Sequence, residues 1–208
     1  MSSIKRIYLV VYNALSAALW FVVLSRTAQT FVAKGPEAVF PAVGEWTKWT
    51  QTLAGLEILH SVLGVVRAPL MTTLMQVSSR FALVWGAVHF YPSIAASPAY
   101  SSMLLAWSTT EVIRYTFFAL SLSGIEPPLL QWFRYSGFYV LYPVGISSEL
   151  FELFLAMTAA SKQDDMLRAG IIAVVMATYL PGAPKLYSHM MRQRRKVIGG
   201  QGARSKSQ

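Results

Sequence analysis

Cysteine is absent from the 208 residues, so the chain can form no disulfide and carries no thiol nucleophile. A cysteine-dependent phosphatase is thereby excluded. Histidine is scarce: His60, His89 and His189 stand far apart with no repeated ligand spacing, which argues against a metal site. Charged residues make up 13% of the chain, about half the ~25% usual in soluble domains. The alternating segments of about ten residues that build a membrane β-barrel are missing, and no internal repeat is evident. What is there is apolar, with 54% hydrophobic residues and a mean hydropathy of +0.45. This balance points to a helical protein that crosses a membrane several times.

Six hydrophobic segments can be marked. Ile7 to Leu24 follows Lys5 and Arg6. It exceeds the roughly 7–15-residue core of a signal peptide and no small-x-small cleavage site follows it, so it reads as a retained span. Gln51–Val66, Leu70–Phe90, Tyr100–Leu122, Phe133–Ala160 and Leu167–Tyr187 complete the set. Thr27 to Thr50 is polar, holds Gly35, Pro36, Pro41 and Gly44, and reads as a connecting loop ending in an interfacial pair, Trp46 and Trp49. Lipid offers the backbone no hydrogen-bond partners, so each segment should be helical. The expectation is an all-α bundle of six transmembrane helices forming one domain over residues 1–208.

The net charge of +9 comes largely from one place. Seven of the 18 basic residues lie from Lys185 onward, with no acidic residue among them. That is a flank obeying the positive-inside rule, not a nucleic-acid-binding face. Six spans put both termini on one side, together with Lys5, Arg6 and Arg67, against Arg26, Lys34, Lys48, Lys162 and Arg168 opposite. Both ends are therefore expected in the cytosol, with residues 192–208 a basic, disordered cytosolic tail.

Several polar residues interrupt the apolar spans. An ionisable side chain costs about 2.5 kcal/mol or more at the bilayer centre on insertion scales, so each is a functional candidate. Glu57 and His60, Gln76 and Arg80, and Glu111 and Arg114 stand three or four residues apart, hence on common helix faces. At about 1.5 Å per residue, Glu57, Arg80, Glu111 and Tyr142 come to a similar depth, roughly 12–16 Å from the cytosolic end. A shared interior cavity accounts for that; a charge network tying helices together without chemistry is the competing account. His60 reads as a polar packing residue, and Glu152 as the solvated end of its span.

The fifth segment contains FRYSGFYVLYPVGISSELFELF, with Arg134, Tyr142 and Glu149. Seven residues turn a helix through about 700°, so Tyr142 and Glu149 share a face. Between them Pro143 removes the backbone donor to Tyr139 and bends the helix, and Gly145 leaves room beside it. A phenol and a carboxylate so placed suit general acid–base catalysis.

The string RY…FYVLYPVGISSE closely resembles the signature of the integral-membrane very-long-chain 3-hydroxyacyl-CoA dehydratases, also called protein-tyrosine-phosphatase-like proteins. The resemblance extends to LEILH at Leu56–His60, QVSSRFALVW at Gln76–Trp85 and EVIRY at Glu111–Tyr115. It implies loss of water from a long-chain 3-hydroxyacyl-CoA to give a trans-2-enoyl-CoA, as a step of very-long-chain fatty acid elongation. It also implies residence in the endoplasmic reticulum membrane beside the condensing enzyme and the two reductases of that cycle. Tyr142 and Glu149 match the catalytic pair. Arg134, Gly145, Glu57, Gln76, Arg80, Glu111 and Arg114 are the supporting or substrate-binding candidates.

Neither catalytic group calls for a metal or a nucleotide cofactor. Glu149 is the natural base and Tyr142 the acid, with the reverse assignment left open. Arg80, Arg114 and the amides near Gly145 are candidate donors to the developing oxyanion. Arg134, Lys185 and Arg192 would attract the phosphates of coenzyme A. The ending ARSKSQ, with Arg204 and Lys206, is similar to a dilysine retrieval signal. A non-catalytic scaffold of the elongation machinery and a small transporter are the rival accounts. A scaffold could lose Tyr142 and Glu149 and still assemble; an enzyme could lose neither.

Overall fold

A computed structural model describes residues 2–66 and 70–199 of the chain, and all the regular structure in them is helical. Helix α1 (Ser3–Lys34) starts at Ser2, whose hydroxyl accepts from the Lys5 amide, and stops at Gly35, which takes a φ of 83°. Only a short 3₁₀ turn, Pro36–Ala38, separates it from α2 (Val39–Leu53). The connecting loop expected over Thr27–Thr50 is therefore replaced by helix on both sides of Gly35. Pro41 does not oppose this, because it sits in the first turn of α2, where a missing N–H breaks no rung.

Ala54 divides α2 from α3 (Gly55–Val62). Helix α4 (Leu70–Phe81) continues as a π-helical stretch, Ala82–Val88, in which the His89 amide reaches back to the Val84 carbonyl. Helices α5 (Pro98–Leu122) and α6 (Pro128–Ser136) both begin with proline, whose fixed φ suits a first helical position. Helices α7 (Phe138–Lys162) and α8 (Met166–Arg194) follow, and α8 runs on as a π-helical turn, Arg195–Gly199. The described part of the expected tail is thus helical. Residues 200–208, with Arg204 and Lys206, and Arg67 lie outside the described residues.

The fifth hydrophobic segment, expected as one helix, is two. Gly137 separates α6 from α7, and a Cβ there would stand 2.8 Å from the Phe133 carbonyl oxygen. Arg134 consequently belongs to α6, while Tyr142 and Glu149 belong to α7. Pro143 lies inside α7 without ending it.

Three helices are long and apolar enough to cross a membrane. Among the described residues these are α1, α7, and α8 with its π-helical turn, holding 18-residue stretches of mean hydropathy 2.0, 1.4 and 1.5. Large apolar side chains such as Val11, Phe21, Phe151, Phe154 and Val174 are exposed along them, as a lipid-facing surface requires. The protein is an all-α, multi-pass membrane protein. Helix α5 packs between α1 and α7, and α8 lies along α7. The buried core runs through Trp20 and Val23 of α1, Met103 and Leu104 of α5, and Leu153 and Ala156 of α7. At one end Lys5 donates to the Gly64 carbonyl (3.3 Å) and Arg6 to the Leu122 carbonyl (2.6 Å). These cations meet the last carbonyl of α5 and one just beyond the end of α3, where the helix dipoles are negative.

Inside the bundle a charge network joins α3, α4 and α5. Arg114 grips Glu57 with both terminal nitrogens (2.9 and 2.7 Å) and donates through Nε to Glu111 (2.7 Å). Glu111 is buried and also accepts from Arg80 of α4, while the Tyr115 hydroxyl donates to Glu57. Two carboxylates and two guanidiniums thus cancel in charge and join through charge-assisted hydrogen bonds. His60, on the same helix as Glu57, instead hydrogen-bonds the Tyr8 hydroxyl at 2.7 Å and packs edge-on against Tyr8 and Tyr12. It serves the α1–α3 contact.

Two stability outcomes follow from these contacts, each read as the thermal unfolding midpoint of the purified protein in detergent. Arg114→Ala leaves Glu57 without a cation and Glu111 with Arg80 alone, and should cost about 3–5 kcal/mol, the usual penalty for breaking a buried pair. Arg114→Lys, lacking the fork, should recover only part of it. Gly137→Ala forces a methyl against backbone and should cost about 1–3 kcal/mol.

Candidate active site

Glu149 stands in the middle of α7, buried at 9% exposure. Two other helices meet its carboxylate. The Trp107 indole N–H, from α5, donates to Oε1 at 2.6 Å, and the Tyr179 hydroxyl, from α8, donates to Oε2 at 2.7 Å. No guanidinium or ammonium bonds either oxygen among the described residues. That sets Glu149 apart from Glu57 and Glu111, both committed to arginine. The charge network nonetheless reaches it through Trp107, because the Arg80 guanidinium lies 4.8 Å over that indole ring.

Tyr142, nearly two turns earlier on α7, also faces α8. Its hydroxyl donates to the Ala183 carbonyl (2.9 Å), and its ring centre lies 5.8 Å from that of Tyr187. Tyr179, Ala183 and Tyr187 are successive i, i+4 positions, so one strip of α8 runs past both α7 side chains. Among the described residues no hydrogen bond joins Tyr142 to Glu149; the phenol bonded to the carboxylate is Tyr179. Gly145 lies between the two, facing α5. A Cβ there would stand 3.8 Å from the Ala106 Cβ and 4.0 Å from Glu149 Oε1, so the missing side chain leaves a notch beside the carboxylate. On the side of α7 that meets α8, an open cleft of about 320 Å³ is lined by Tyr142, Pro143, Ile146, Ala183, Pro184 and Tyr187. Pro181 and Pro184 deprive α8 of two backbone donors at this level.

The remaining candidates divide into those near the site and those apart from it. Arg80, Glu111, Arg114 and Glu57 meet one another in the network. Arg114 gives Nε and both terminal nitrogens to carboxylates there, so its donors are already used. Arg134, on α6, stacks over Phe118 (4.2 Å), Phe117 (4.8 Å) and Tyr135 (5.5 Å), with its buried Nε lacking a hydrogen-bond partner. Gln76 is exposed and stands outside the cluster.

Glu152 requires a correction. Expected as the solvated end of a span, it is fully buried and bonded by the Ser97 hydroxyl. The reason is packing: the 3₁₀ turn Pro92–Ala96 before α5 lies against α7 and brings Ser97 onto Glu152. Trp107 and Tyr179 were not among the sequence candidates. Trp107 is one turn before Glu111 on α5, and Tyr179 two turns before Tyr187 on α8, so both shared a face with a polar or aromatic residue. Neither spacing distinguishes such a residue from an ordinary core or lipid-facing aromatic.

Residues 51–200 match the family model described as "Protein tyrosine phosphatase-like protein, PTPLA". A probable very-long-chain (3R)-3-hydroxyacyl-CoA dehydratase of Schizosaccharomyces pombe is 42% identical over 200 residues, covering 95% of this chain and 96% of its own. The very-long-chain (3R)-3-hydroxyacyl-CoA dehydratase PASTICCINO 2A of Oryza sativa is 38% identical over 212 residues, covering 95% of each. Very-long-chain (3R)-3-hydroxyacyl-CoA dehydratase 2 of Homo sapiens is 33% identical over 205 residues, covering 92% of this chain and 80% of its own. No solved structure matches. A family model spanning most of the chain and relatives aligned over nearly all of it agree: the chain belongs to the PTPLA family, that of the very-long-chain 3-hydroxyacyl-CoA dehydratases.

Proposed function

We infer that this protein removes water from a long-chain 3-hydroxyacyl-CoA to give a trans-2-enoyl-CoA, with Glu149 and Tyr142 as its acid–base pair. The observation that carries the reading is the setting of Glu149. It is a buried carboxylate held by two neutral donors instead of a cation, on the α7 face that also bears Tyr142.

The C2 proton of the substrate is only weakly acidic and hydroxide is a poor leaving group, so both ends of the reaction need help. Glu149 takes the C2 proton; the electrons of that bond form the C2–C3 double bond as the C3–O bond breaks. Tyr142 delivers its phenolic proton to the departing oxygen, which leaves as water. The proton held by Glu149 must then return to Tyr142 before the next turnover. Along a straight helix the two residues are about 10.5 Å apart, so the substrate must sit in the notch at Gly145 and draw both tips inward. Tyr142 gives up the Ala183 carbonyl when it does so.

The whole chain acts as one domain crossing the membrane six times, through α1, α2 with α3, α4 with its π-helical extension, α5, α6 with α7, and α8. Both termini face the cytosol, in the membrane of the endoplasmic reticulum. The basic end, with Lys185, Arg192 and Arg134, receives the coenzyme A phosphates. The acyl chain enters the cleft between α7 and α8, and no metal or nucleotide takes part in the proton transfers. The condensing enzyme and the two reductases of the elongation cycle are the natural neighbours, since one reductase makes this substrate from the product of condensation and the other consumes the enoyl product.

Purified protein in detergent, given a long-chain 3-hydroxyacyl-CoA, should release the enoyl product. Tyr142→Phe and Glu149→Gln should each fold yet lose at least about a hundredfold in turnover, the lower range for general acid–base groups. Wild-type turnover in either variant rejects the role given to that residue.

A further inference from the structure

We propose that Tyr179 is a positioning residue for the dehydration, holding the Glu149 carboxylate in the orientation from which it takes the C2 proton. The proposal rests on the reading of Glu149 as the base. A glutamate has three side-chain torsions, and the last, about the bond to the carboxylate, is broad and roughly two-fold when nothing restrains it. In this site both oxygens are restrained, Oε1 by the Trp107 indole and Oε2 by the Tyr179 hydroxyl. Two donors from two helices fix the plane of the carboxylate and leave further lone pairs free to accept a proton.

The two donors differ in how they are held. Trp107 is buried on α5 and covered by Arg80, which Glu111 secures in turn. Tyr179 is only half-buried and stands on α8, two residues before the first of its internal prolines. One turn further along the same strip is Ala183, which accepts from Tyr142. A single stretch of α8 therefore sets the position of the carboxylate and holds the phenol of the pair. The Tyr179 hydroxyl proton is given to the carboxylate, so Tyr179 is not free to protonate the leaving oxygen; its part is to aim the base.

Tyr179→Phe removes one oxygen and keeps the ring. The expected result is a kcat lower by about ten- to a hundredfold, the loss of one hydrogen bond to a charged group. KM and the unfolding midpoint in detergent should stay near wild type. Proton abstraction should also become more rate-limiting, so the isotope effect on kcat with substrate deuterated at C2 should rise.

Three results would overturn the proposal. One is a wild-type kcat. Another is a reduced kcat with an unchanged isotope effect, which marks a smaller folded fraction. The third is a loss as complete as that of Glu149→Gln, which would make Tyr179 itself the proton donor. Glu149→Gln is assayed alongside: if it turns over normally the base assignment fails first and takes this proposal with it. If it is dead while Tyr179→Phe is unaffected, only the role of Tyr179 fails.

Discussion

A carboxylate placed where water does not reach must be met by donors that the protein itself supplies. Helices α3, α4, α5, α7 and α8 are arranged around that requirement. Four buried or half-buried glutamates meet it in three ways, Glu152 through one oxygen only. Glu57 and Glu111 take guanidiniums, Glu152 takes the Ser97 hydroxyl, and Glu149 takes one indole and one phenol. The chemistry each can perform follows from its partner. A carboxylate locked to arginine is a structural anion. One held by neutral donors keeps lone pairs for a proton.

Stability alone does not account for the charge network. Burying charges costs several kcal/mol per ion even after relaxation, and apolar replacements of buried ion pairs are often neutral or stabilising. What the network provides is register. Arg114 fixes α3 against α5, Arg80 fixes α4 against α5, and Arg80 covers the Trp107 ring whose N–H reaches Glu149. The wall of the site made by α5 is thereby held in register by charged hydrogen bonds.

How much of this was legible in the sequence depends on the range of the interaction concerned. The rise of a helix is constant, so depth along the chain could be computed, and Glu57, Arg80 and Glu111 do come together through Arg114, whereas Tyr142, expected at the same depth, bonds α8 instead. The common face of Tyr142 and Glu149 is equally a matter of local geometry, and both contact α8. Partner choice is not local. Glu149 finds Trp107 and Tyr179 at sequence separations of 42 and 30, and aromatic residues in an apolar span look alike whether they face lipid or a carboxylate. Breaks were also misplaced. Pro41 and Gly44 suggested a loop where helix continues, because proline in a first turn breaks nothing. Gly137, between two apolar stretches, gave no sign of dividing α6 from α7.

The other wall of the site is built differently, and the difference bears on how a lipid substrate is recognised. Helix α8 lacks two rungs at Pro181 and Pro184, just where the open cleft meets Tyr142. A wall of that kind can yield to admit an acyl chain, while the α5 wall keeps the Glu149 carboxylate in place. An acyl chain drawn from water gains about 0.8 kcal/mol per buried methylene, but lipid tails are as apolar as the side chains that would replace them. A chain arriving from the bilayer therefore gains little by entering the cleft. The tail then acts through shape, by fitting or not fitting the gap between α7 and α8. Affinity has to come from the polar end, which in the proposed reading is where the thioester and hydroxyl would meet Tyr142 and Glu149 and the phosphates the basic end of the bundle. That division explains why the polar residues are held by so many directional bonds while the cleft beside them is lined by prolines, alanine, isoleucine and tyrosine rings.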